Sequence, residues 1–413
     1  MHGHEMNCRH CHATLTEVFA DLGTAPPSNA FVQAADLDAP EIHFPLKAWC
    51  CGSCRLVQIG EVQRHDALFS SDYLYFSSYS RSWLDHARAY VAQAVKRLSL
   101  GPQSLVLEIA SNDGYLLQYV QERGIPCAGI EPTASTAVAA RAKGIESIEA
   151  FFGEAFAAEF ARTRRRADLV IGNNVLAHVP DINDFVAGLK AVLAPGGSVT
   201  MEFPHLLNLV REAQFDTIYH EHFSYLGFNT VQRILAEAGL EIWDVERLPT
   251  HGGSLRIWAQ HSNEGTRDVQ PAVAGMLAEE IEAGMDGPAF YASLQPRAEG
   301  IRNRLTAWLI EQKTAGRQVV AYGAAAKGNT LLNWAGIRAD LLPYVVDASP
   351  HKQGRFLPGS RIPVVDEAMI RQSRPNYVLI LPWNLRSEIS AQLAYIAEWG
   401  GRCVVAVPEL EIL

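Results

Sequence analysis

The feature that most constrains this chain is an alternation of short apolar runs with helix-length segments through its middle. The runs have the length of buried strands. They lie at residues 104–109, 127–130, 167–172 and 198–203, and two more follow at 241–248 and 254–260. Strands that alternate with helices predict a parallel, doubly wound α/β sheet, in which ligands bind at the carboxyl ends of the strands.

The turn after the first strand indicates which cofactor the sheet binds. Glu131 ends the second strand, where a carboxylate can accept hydrogen bonds from two ribose hydroxyls of either NAD or S-adenosylmethionine. The turn has no G-x-G-x-x-G, and Asp113 would repel a pyrophosphate but suits a sulfonium with its amino group. S-adenosylmethionine is therefore the predicted cofactor. Its predicted binding residues are Glu108, Ala110, Asn112, Asp113, Gly114, Glu131, Pro132, Asn173 and Asn174.

Five of the seven cysteines lie within the first 54 residues, in a pattern typical of a metal site. Cys8 and Cys11 form one C-x-x-C pair, and Cys51 and Cys54 form a second. Four thiolates suit tetrahedral Zn²⁺ and leave no open position for catalysis, so we predict a structural zinc. Cys50 adjoins the second pair and leaves open which of the two adjacent thiols binds the metal.

Composition and charge limit the classes of function. A length of 413 residues with 48% apolar and 19% charged residues predicts two or three folded domains. The net charge of −10 argues against nucleic acid as a partner. Without an apolar run of about eighteen residues we expect no membrane span, and the polar N-terminus favours a cytoplasmic protein.

Two polar segments should lie beside the cofactor. Residues 219–225 leave the carboxyl end of the strand that ends at Pro204, so His220 and His222 are candidates for acid–base work. A second metal site or a structural polar loop are the alternatives. The lead-in to the helix predicted over 81–98 offers rings and hydroxyls to a polar ligand, although it could equally be a lid packed into the core. Its candidate residues are Tyr73, Tyr75, Ser77, Ser78 and Tyr79.

A second α/β unit begins near residue 317, after a mainly helical stretch over about 266–315. Small residues and Lys327 follow its first strand, so backbone N–H groups and one ammonium can approach a phosphate. We predict nucleotide binding there, against the alternative of a Rossmann-like domain that binds nothing. The candidate residues of this unit are Lys327, Asn329, Asp347 and Lys352.

Taken in order, these motifs resemble the bacterial nucleotide-sugar 3-C-methyltransferases over nearly the whole chain. The resemblance is carried by the paired cysteines, the Glu-Ile-Ala-Ser-Asn-Asp-Gly turn, Gly-Ile-Glu-Pro, Tyr-His-Glu-His and Gly-Ala-Ala-Ala-Lys-Gly-Asn-Thr. Ala110 stands where that family often has glycine. The resemblance implies a zinc-binding domain over 1–66, a class I methyltransferase domain with a helical lid over 67–285, and a Rossmann-like sugar-nucleotide domain over 286–413.

The resemblance also implies a reaction, in which a methyl group moves to C3 of a deoxythymidine-diphosphate-linked 4-keto-6-deoxy sugar. His222 is then the base, Tyr219, Glu221 and His178 are its polar neighbours, and Tyr73 is a lid contact. The chain is compatible with a monomer. Two alternatives stay open: methylation of an oxygen or nitrogen on another small substrate, and a zinc protein that binds S-adenosylmethionine and a nucleotide without turnover.

Overall fold

The computed structural model describes residues 6–61 and 76–413, so the candidates Tyr73 and Tyr75 lie outside the described residues. The helices pack around three β-sheets. The α-helices are α1 (Arg81–Leu98), α2 (Leu117–Gln121), α3 (Ala134–Ala142), α4 (Glu154–Thr163), α5 (Ile182–Val192), α6 (Leu206–Arg211), α7 (Phe228–Glu237), α8 (Pro271–Glu282), α9 (Pro288–Ala292), α10 (Leu294–Thr314), α11 (Ala326–Trp334), α12 (Ala368–Ser373) and α13 (Arg386–Gln392). Short 3₁₀ turns occupy Ala34–Asp36, Ser77–Tyr79, Leu176–His178, Phe215–Thr217, Thr250–Gly252, Trp383–Leu385 and Ala394–Trp399.

The central sheet is the predicted doubly wound one. Its strands are β4 (Val106–Ile109), β5 (Cys127–Ile130), β6 (Ser147–Ile148), β7 (Ala167–Asn173), β8 (Leu193–Pro204), β10 (Leu240–Leu248) and β11 (Ser254–His261). They lie in the order β10-β11-β8-β7-β4-β5-β6. The strands from β4 to β8 pair in parallel, whereas β11 is antiparallel to both β8 and β10. The prediction of a parallel sheet is confirmed for β4 to β8, and β10 and β11 extend the sheet as an antiparallel pair.

A small antiparallel sheet adjoins the cysteine pairs. Its strands are β1 (Glu17–Ala25), β2 (Phe44–Cys50), β3 (Val57–Ile59) and β9 (Ser224–Tyr225), in that order. The fourth strand comes from the middle of the chain, where Val57 is paired with Tyr225 and Gln58 with Ser224. The segment that contains His222 is therefore tied at its end to the N-terminal sheet.

The C-terminal sheet contains β12 (Val319–Tyr322), β13 (Val345–Val346), β14 (Val364–Val365), β15 (Tyr377–Ile380), β16 (Arg402–Val405) and β17 (Glu411–Ile412). Its order is β14-β13-β12-β15-β16-β17, with only β17 antiparallel. The strand order reverses between β12 and β15, which makes this point a topological switch point. Gly323 lies close to Pro382 there, and a Cβ on Gly323 would be 2.4 Å from the proline ring. Ligands of doubly wound sheets bind at such a switch point.

Local sequence explains the start of the first long helix. The Ser80 hydroxyl accepts a hydrogen bond from the backbone N–H of Trp83, and Ser99 ends α1 in a left-handed conformation with φ 53°. The cap fixes where α1 begins and places Trp83 in its first turn. Within residues 6–61 and 76–413, no helix combines the length and the apolar character that a membrane crossing requires.

The N-terminal part shares buried clusters with each of the two larger units. Phe19 of β1, Leu206 of α6 and Val320 of β12 belong to one buried cluster, whereas Cys51 lies in the cluster of the central sheet. The N-terminal sheet therefore packs against both larger units. We retain the boundaries 1–66, 67–285 and 286–413 as a proposal. The strand β9 lies in the second range and pairs with β3 of the first.

Candidate active site

A cavity of about 450 Å³ lies at the carboxyl ends of the central strands. Residues from all three parts of the chain line it. The lining includes Asn29 from the N-terminal part, Ala110, Asn112, Glu131, Pro132, Asn173, Asn174, His178, Tyr219, Glu221, His222 and His251 from the middle, and Ala325, Lys327, Lys352 and Asn384 from the C-terminal part. A cofactor site, a histidine cluster and the C-terminal switch point thus open into one space.

Three residues of the turn after β4 have a left-handed backbone, although only one of them is a glycine. Ala110 has φ 55°, Asn112 has φ 50° and Gly114 has φ 74°. The φ of Gly114 favours glycine, and a Cβ there would lie 2.4 Å from the end of the Ile145 side chain, which would have to shift. Ala110 takes a conformation that glycine adopts at lower cost, which fits the glycine often found there in the resembling family.

Two side chains at this end fit S-adenosylmethionine. The Glu131 carboxylate accepts from the backbone N–H groups of Asn112 at 2.8 Å and Thr133 at 2.9 Å, and it keeps lone pairs for ribose hydroxyls. Burial raises the pKa of Glu131. Both amide atoms of Asn173 are buried and have no hydrogen-bond partner among the described residues. Orphaned polar atoms of this kind require a partner, and a polar cofactor in the cavity supplies one.

Three predicted cofactor residues lie outside the cavity lining. Glu108 is buried within the sheet, and burial raises its pKa well above the usual value. The Asp113 carboxylate lies 3.2 Å from the Lys143 ammonium, so it is neutralised by a protein cation instead of facing the cofactor. Gly114 shapes the turn. The Asp113 carboxylate therefore has a protein partner, Lys143, that stands thirty positions further along the chain.

His222 has the hydrogen bonds of a neutral base. Its Nδ1–H donates to the Thr217 carbonyl at 3.0 Å, and its Nε2 accepts from the Tyr219 hydroxyl at 2.8 Å. Burial, followed by the nearby His178 ring, lowers the pKa of His222 well below its ordinary value. The ring is then uncharged near neutral pH, and Nε2 is the nitrogen that can take a proton.

Glu221 contacts His178 through its backbone carbonyl, whereas the His222 ring is held by the Thr217 carbonyl. Both carboxylate oxygens accept from the Asn29 amide, at 2.7 and 2.8 Å, and burial raises the pKa of Glu221 to about 7. Its backbone carbonyl accepts from His178 Nδ1 at 2.8 Å. The His178 ring lies 4.7 Å from the His222 ring, edge to face. Burial lowers the pKa of His178 to about 4.

His220, the alternative base, lies elsewhere. Its Nε2–H donates to the Pro45 carbonyl at 3.2 Å, and its ring packs against Phe44 with centroids 6.0 Å apart. It is 2% exposed and lies outside the cavity lining. His220 therefore anchors the segment to the N-terminal sheet.

The C-terminal unit contributes two lysines to the cavity. Lys327 Nζ donates to Asn384 Oδ1 at 2.7 Å and lies 4.4 Å from the centre of the Trp383 ring. Burial lowers the pKa of Lys327 to about 8, against the opposing charge of Asp216. Lys352 Nζ donates to the Ala324 carbonyl at 2.9 Å.

Of the remaining candidates for substrate binding within the described residues, only Ser77 lines the cavity, and the others make contacts within the protein. Ser77 lines the cavity, whereas the Ser78 hydroxyl accepts from Lys143 at 2.8 Å outside it. Asp347 accepts from the Ala324 N–H at 2.8 Å and so shapes the loop. Asn329 donates to the Ser28 carbonyl at 2.7 Å and holds two units together outside the lining.

The lining residues that the sequence does not reveal include Asn29, Trp83 and His251. Asn29 follows Pro-Pro-Ser in a segment without a recognisable motif, and only its contact with Glu221 reveals it. Trp83 looked like an ordinary apolar position of α1. His251 precedes two glycines in the turn between β10 and β11, and that local pattern was a usable signal for a special backbone.

The four cysteines of the two C-x-x-C pairs form a metal site. Their sulfur atoms lie within 4.8 Å of one another, with Cys8 3.6 Å from Cys54 and Cys11 3.5 Å from Cys51. Tetrahedral Zn²⁺ with four thiolates places sulfurs about 3.8 Å apart, so this donor set fits zinc. Cys50 points into the core beside β2, which identifies Cys51 as the ligand of the adjacent pair.

Comparisons with known proteins agree with this architecture. Family models described as a zinc binding domain, a methyltransferase domain and a C-methyltransferase C-terminal domain match residues 8–69, 83–245 and 249–408. The chain is 34% identical over 407 residues to C-methyltransferase NovU of Streptomyces niveus, covering 98% of this chain and 96% of that protein.

Solved structures also resemble part of the chain. The CcbJ methyltransferase of Streptomyces caelestis is 13% identical with a TM-score of 0.35, and the similarity covers 43% of this chain and 90% of that one. Magnesium protoporphyrin IX methyltransferase of Synechocystis PCC 6803, solved with bound S-adenosylmethionine, is 16% identical with a TM-score of 0.32, covering 43% and 76%.

Proposed function

The chain belongs to the zinc-binding, S-adenosylmethionine-dependent C-methyltransferases, and from that premise we propose that it methylates C3 of a deoxythymidine-diphosphate-linked 4-keto-6-deoxy sugar. One observation carries the proposal. The base candidate His222, the cofactor residue Asn173 and the C-terminal Lys327 all line the same cavity. A sugar nucleotide could therefore reach base, methyl donor and phosphate-binding group at once.

The proposed substrate explains why a histidine base is sufficient. A C4 carbonyl acidifies the C3 hydrogen, and His222 Nε2 removes that proton while the C–H electrons move onto the carbonyl oxygen. S-adenosylmethionine supplies the methyl group as an electrophilic sulfonium. In this structure Nε2 accepts a hydrogen bond from the Tyr219 hydroxyl. The substrate must therefore displace that hydroxyl from Nε2 before the proton is removed.

The C-terminal unit supplies the groups that a diphosphate needs. Ala326 and Lys327 are the first two residues of α11, where backbone N–H groups have no partner within the helix, and both residues line the cavity. With a pKa of about 8, Lys327 is mostly charged near neutral pH. Lys352 adds a second cation at the lining.

A cytoplasmic location accords with the proposal. The cysteine cluster must stay reduced to bind zinc, and reducing compartments keep thiols in that state.

The test is turnover on a panel of 4-keto-6-deoxy sugar nucleotides that vary at C2 and C3. Mass spectrometry should show the gain of one methyl group, and NMR should show loss of the C3 proton signal. The matched control is the same nucleotide with C4 reduced to an alcohol, which should remain unmethylated. Methyl transfer to that alcohol or to an amine, with every 4-keto nucleotide left unchanged, would overturn the proposal.

A further inference from the structure

The turn between β10 and β11 holds a histidine in an unusual backbone. His251 has φ 53° and ψ 26°, and Gly252 and Gly253 follow with φ 85° and 109°. A non-glycine residue in a sparsely populated conformation costs on the order of 1–3 kcal/mol. Such strained conformations persist where the surrounding structure holds them in place, and they cluster at functional sites.

The turn is held rigidly from both sides. A Cβ on Gly252 would lie 2.5 Å from the Trp383 ring, and one on Gly253 would lie 2.3 Å from the Asn208 amide. The Thr250 hydroxyl donates to the buried Glu202 carboxylate at 2.9 Å. The position of His251 is therefore set by three parts of the fold.

His251 lines the cavity, and one of its ring nitrogens is held by a neighbouring amide. Asn174 Nδ2 donates to His251 Nε2 at 3.1 Å, so the proton of the neutral ring is on Nδ1. No group of the described residues accepts from Nδ1, and His251 lines the cavity. Burial, followed by the charge of Lys327, lowers the pKa of His251 to about 4. The ring is thus a neutral hydrogen-bond donor at working pH.

We propose that His251 is a second catalytic residue, whose Nδ1–H donates to the C4 oxygen of the sugar as that oxygen becomes an enolate. This inference rests on the proposed function. Asn174, which orients His251, directly follows the cofactor residue Asn173, so the donor lies at the cofactor end of the cavity. The Tyr219 hydroxyl, the other donor nearby, is hydrogen-bonded to His222.

The electrons balance without another reactant. The C3 proton moves to His222, and the pair it leaves forms the C3–C4 double bond while the carbonyl pair moves to oxygen. When C3 bonds to the methyl carbon, the C–S pair remains on sulfur and the C4 carbonyl reforms. His251 keeps its own proton throughout and lowers the energy of the charged oxygen.

The experiment compares His251→Asn with His251→Asp. Asparagine and aspartate have the same shape, and both tolerate a left-handed backbone, but only asparagine can donate from the position of Nδ1. The readout is exchange of solvent deuterium into C3 of a 4-keto sugar nucleotide with S-adenosylhomocysteine bound. We expect His251→Asn to remain within tenfold of wild type and His251→Asp to lose about 10²–10³, the effect of removing an oxyanion donor.

Controls separate this inference from the proposed function. Wild-type exchange is the first measurement, and its absence on every nucleotide would remove the proposed function itself. With wild type active, equal exchange in the two variants, whether high or low, would overturn the role of His251 as a donor. Melting temperature and S-adenosylmethionine affinity should match between the variants. His43→Leu, at an exposed histidine of the N-terminal part, is the control for substitution itself.

Discussion

Replacing His222 by asparagine tests the base directly, because the structure separates the two ring nitrogens. The asparagine amide can keep the hydrogen bond from the position of Nδ1 to the Thr217 carbonyl, while Nε2 and its basicity disappear. Local folding and binding should therefore survive. Loss of a positioned general base costs about 10²–10⁴ in kcat, which corresponds to about 2.7–5.5 kcal/mol of activation free energy.

Two assays check that expectation. Release of S-adenosylhomocysteine gives kcat, and deuterium exchange at C3 with S-adenosylhomocysteine bound reports proton removal alone. Calorimetry should give near wild-type affinity for cofactor and sugar nucleotide. His220→Asn is the matched variant: it should lower the melting temperature, because the Pro45 contact weakens, while kcat stays near wild type. Exchange that continues in His222→Asn, or a larger rate loss in His220→Asn, would refute the assignment.

Three other predictions concern the metal, the cofactor and the diphosphate. Elemental analysis should give one zinc per chain, and Cys51→Ala should lose zinc and melting temperature while Cys50→Ala keeps its zinc; equal zinc loss would contradict the ligand set. Glu131→Ala should weaken S-adenosylmethionine binding by about 1.5–3 kcal/mol in calorimetry, the range for hydrogen bonds to a charged group, and unchanged affinity would remove the ribose contact. Lys327→Met should raise the sugar-nucleotide Kd and leave cofactor affinity unchanged, whereas Lys352→Met should have a smaller effect. Because Lys327 is charged below its pKa of about 8, wild-type affinity should fall as pH rises through 8, and a flat profile would place the phosphates elsewhere.

Local patterns were enough to predict the elements that position the site. The runs around β4 and β5 alternate with helices, so the sheet and the place of Glu131 at a strand end follow from the sequence. The two C-x-x-C pairs likewise present their ligands from short turns, and only the choice between Cys50 and Cys51 depends on the three-dimensional fold. These features depend on residues that are near neighbours in the chain.

Partners brought together by packing could not be predicted. Asn29 reaches Glu221 across 192 positions, and Lys143 neutralises Asp113 across thirty. Adjacent residues of the segment around Glu221 point in different directions, so their order did not show which one orients His222. Such pairings depend on how separate sheets pack against each other.

The strand β9 has a consequence for how inhibition of this enzyme should be interpreted. It begins two residues after His222 and pairs with β3 as the last strand of the sheet beside the cysteine cluster. A chelator that strips zinc would loosen that sheet and displace the base, so activity would disappear although the metal has no open coordination position. Sensitivity to chelators is commonly taken as a sign of metal catalysis. Here it would instead reflect the loss of a structural zinc that supports the base without taking part in the reaction.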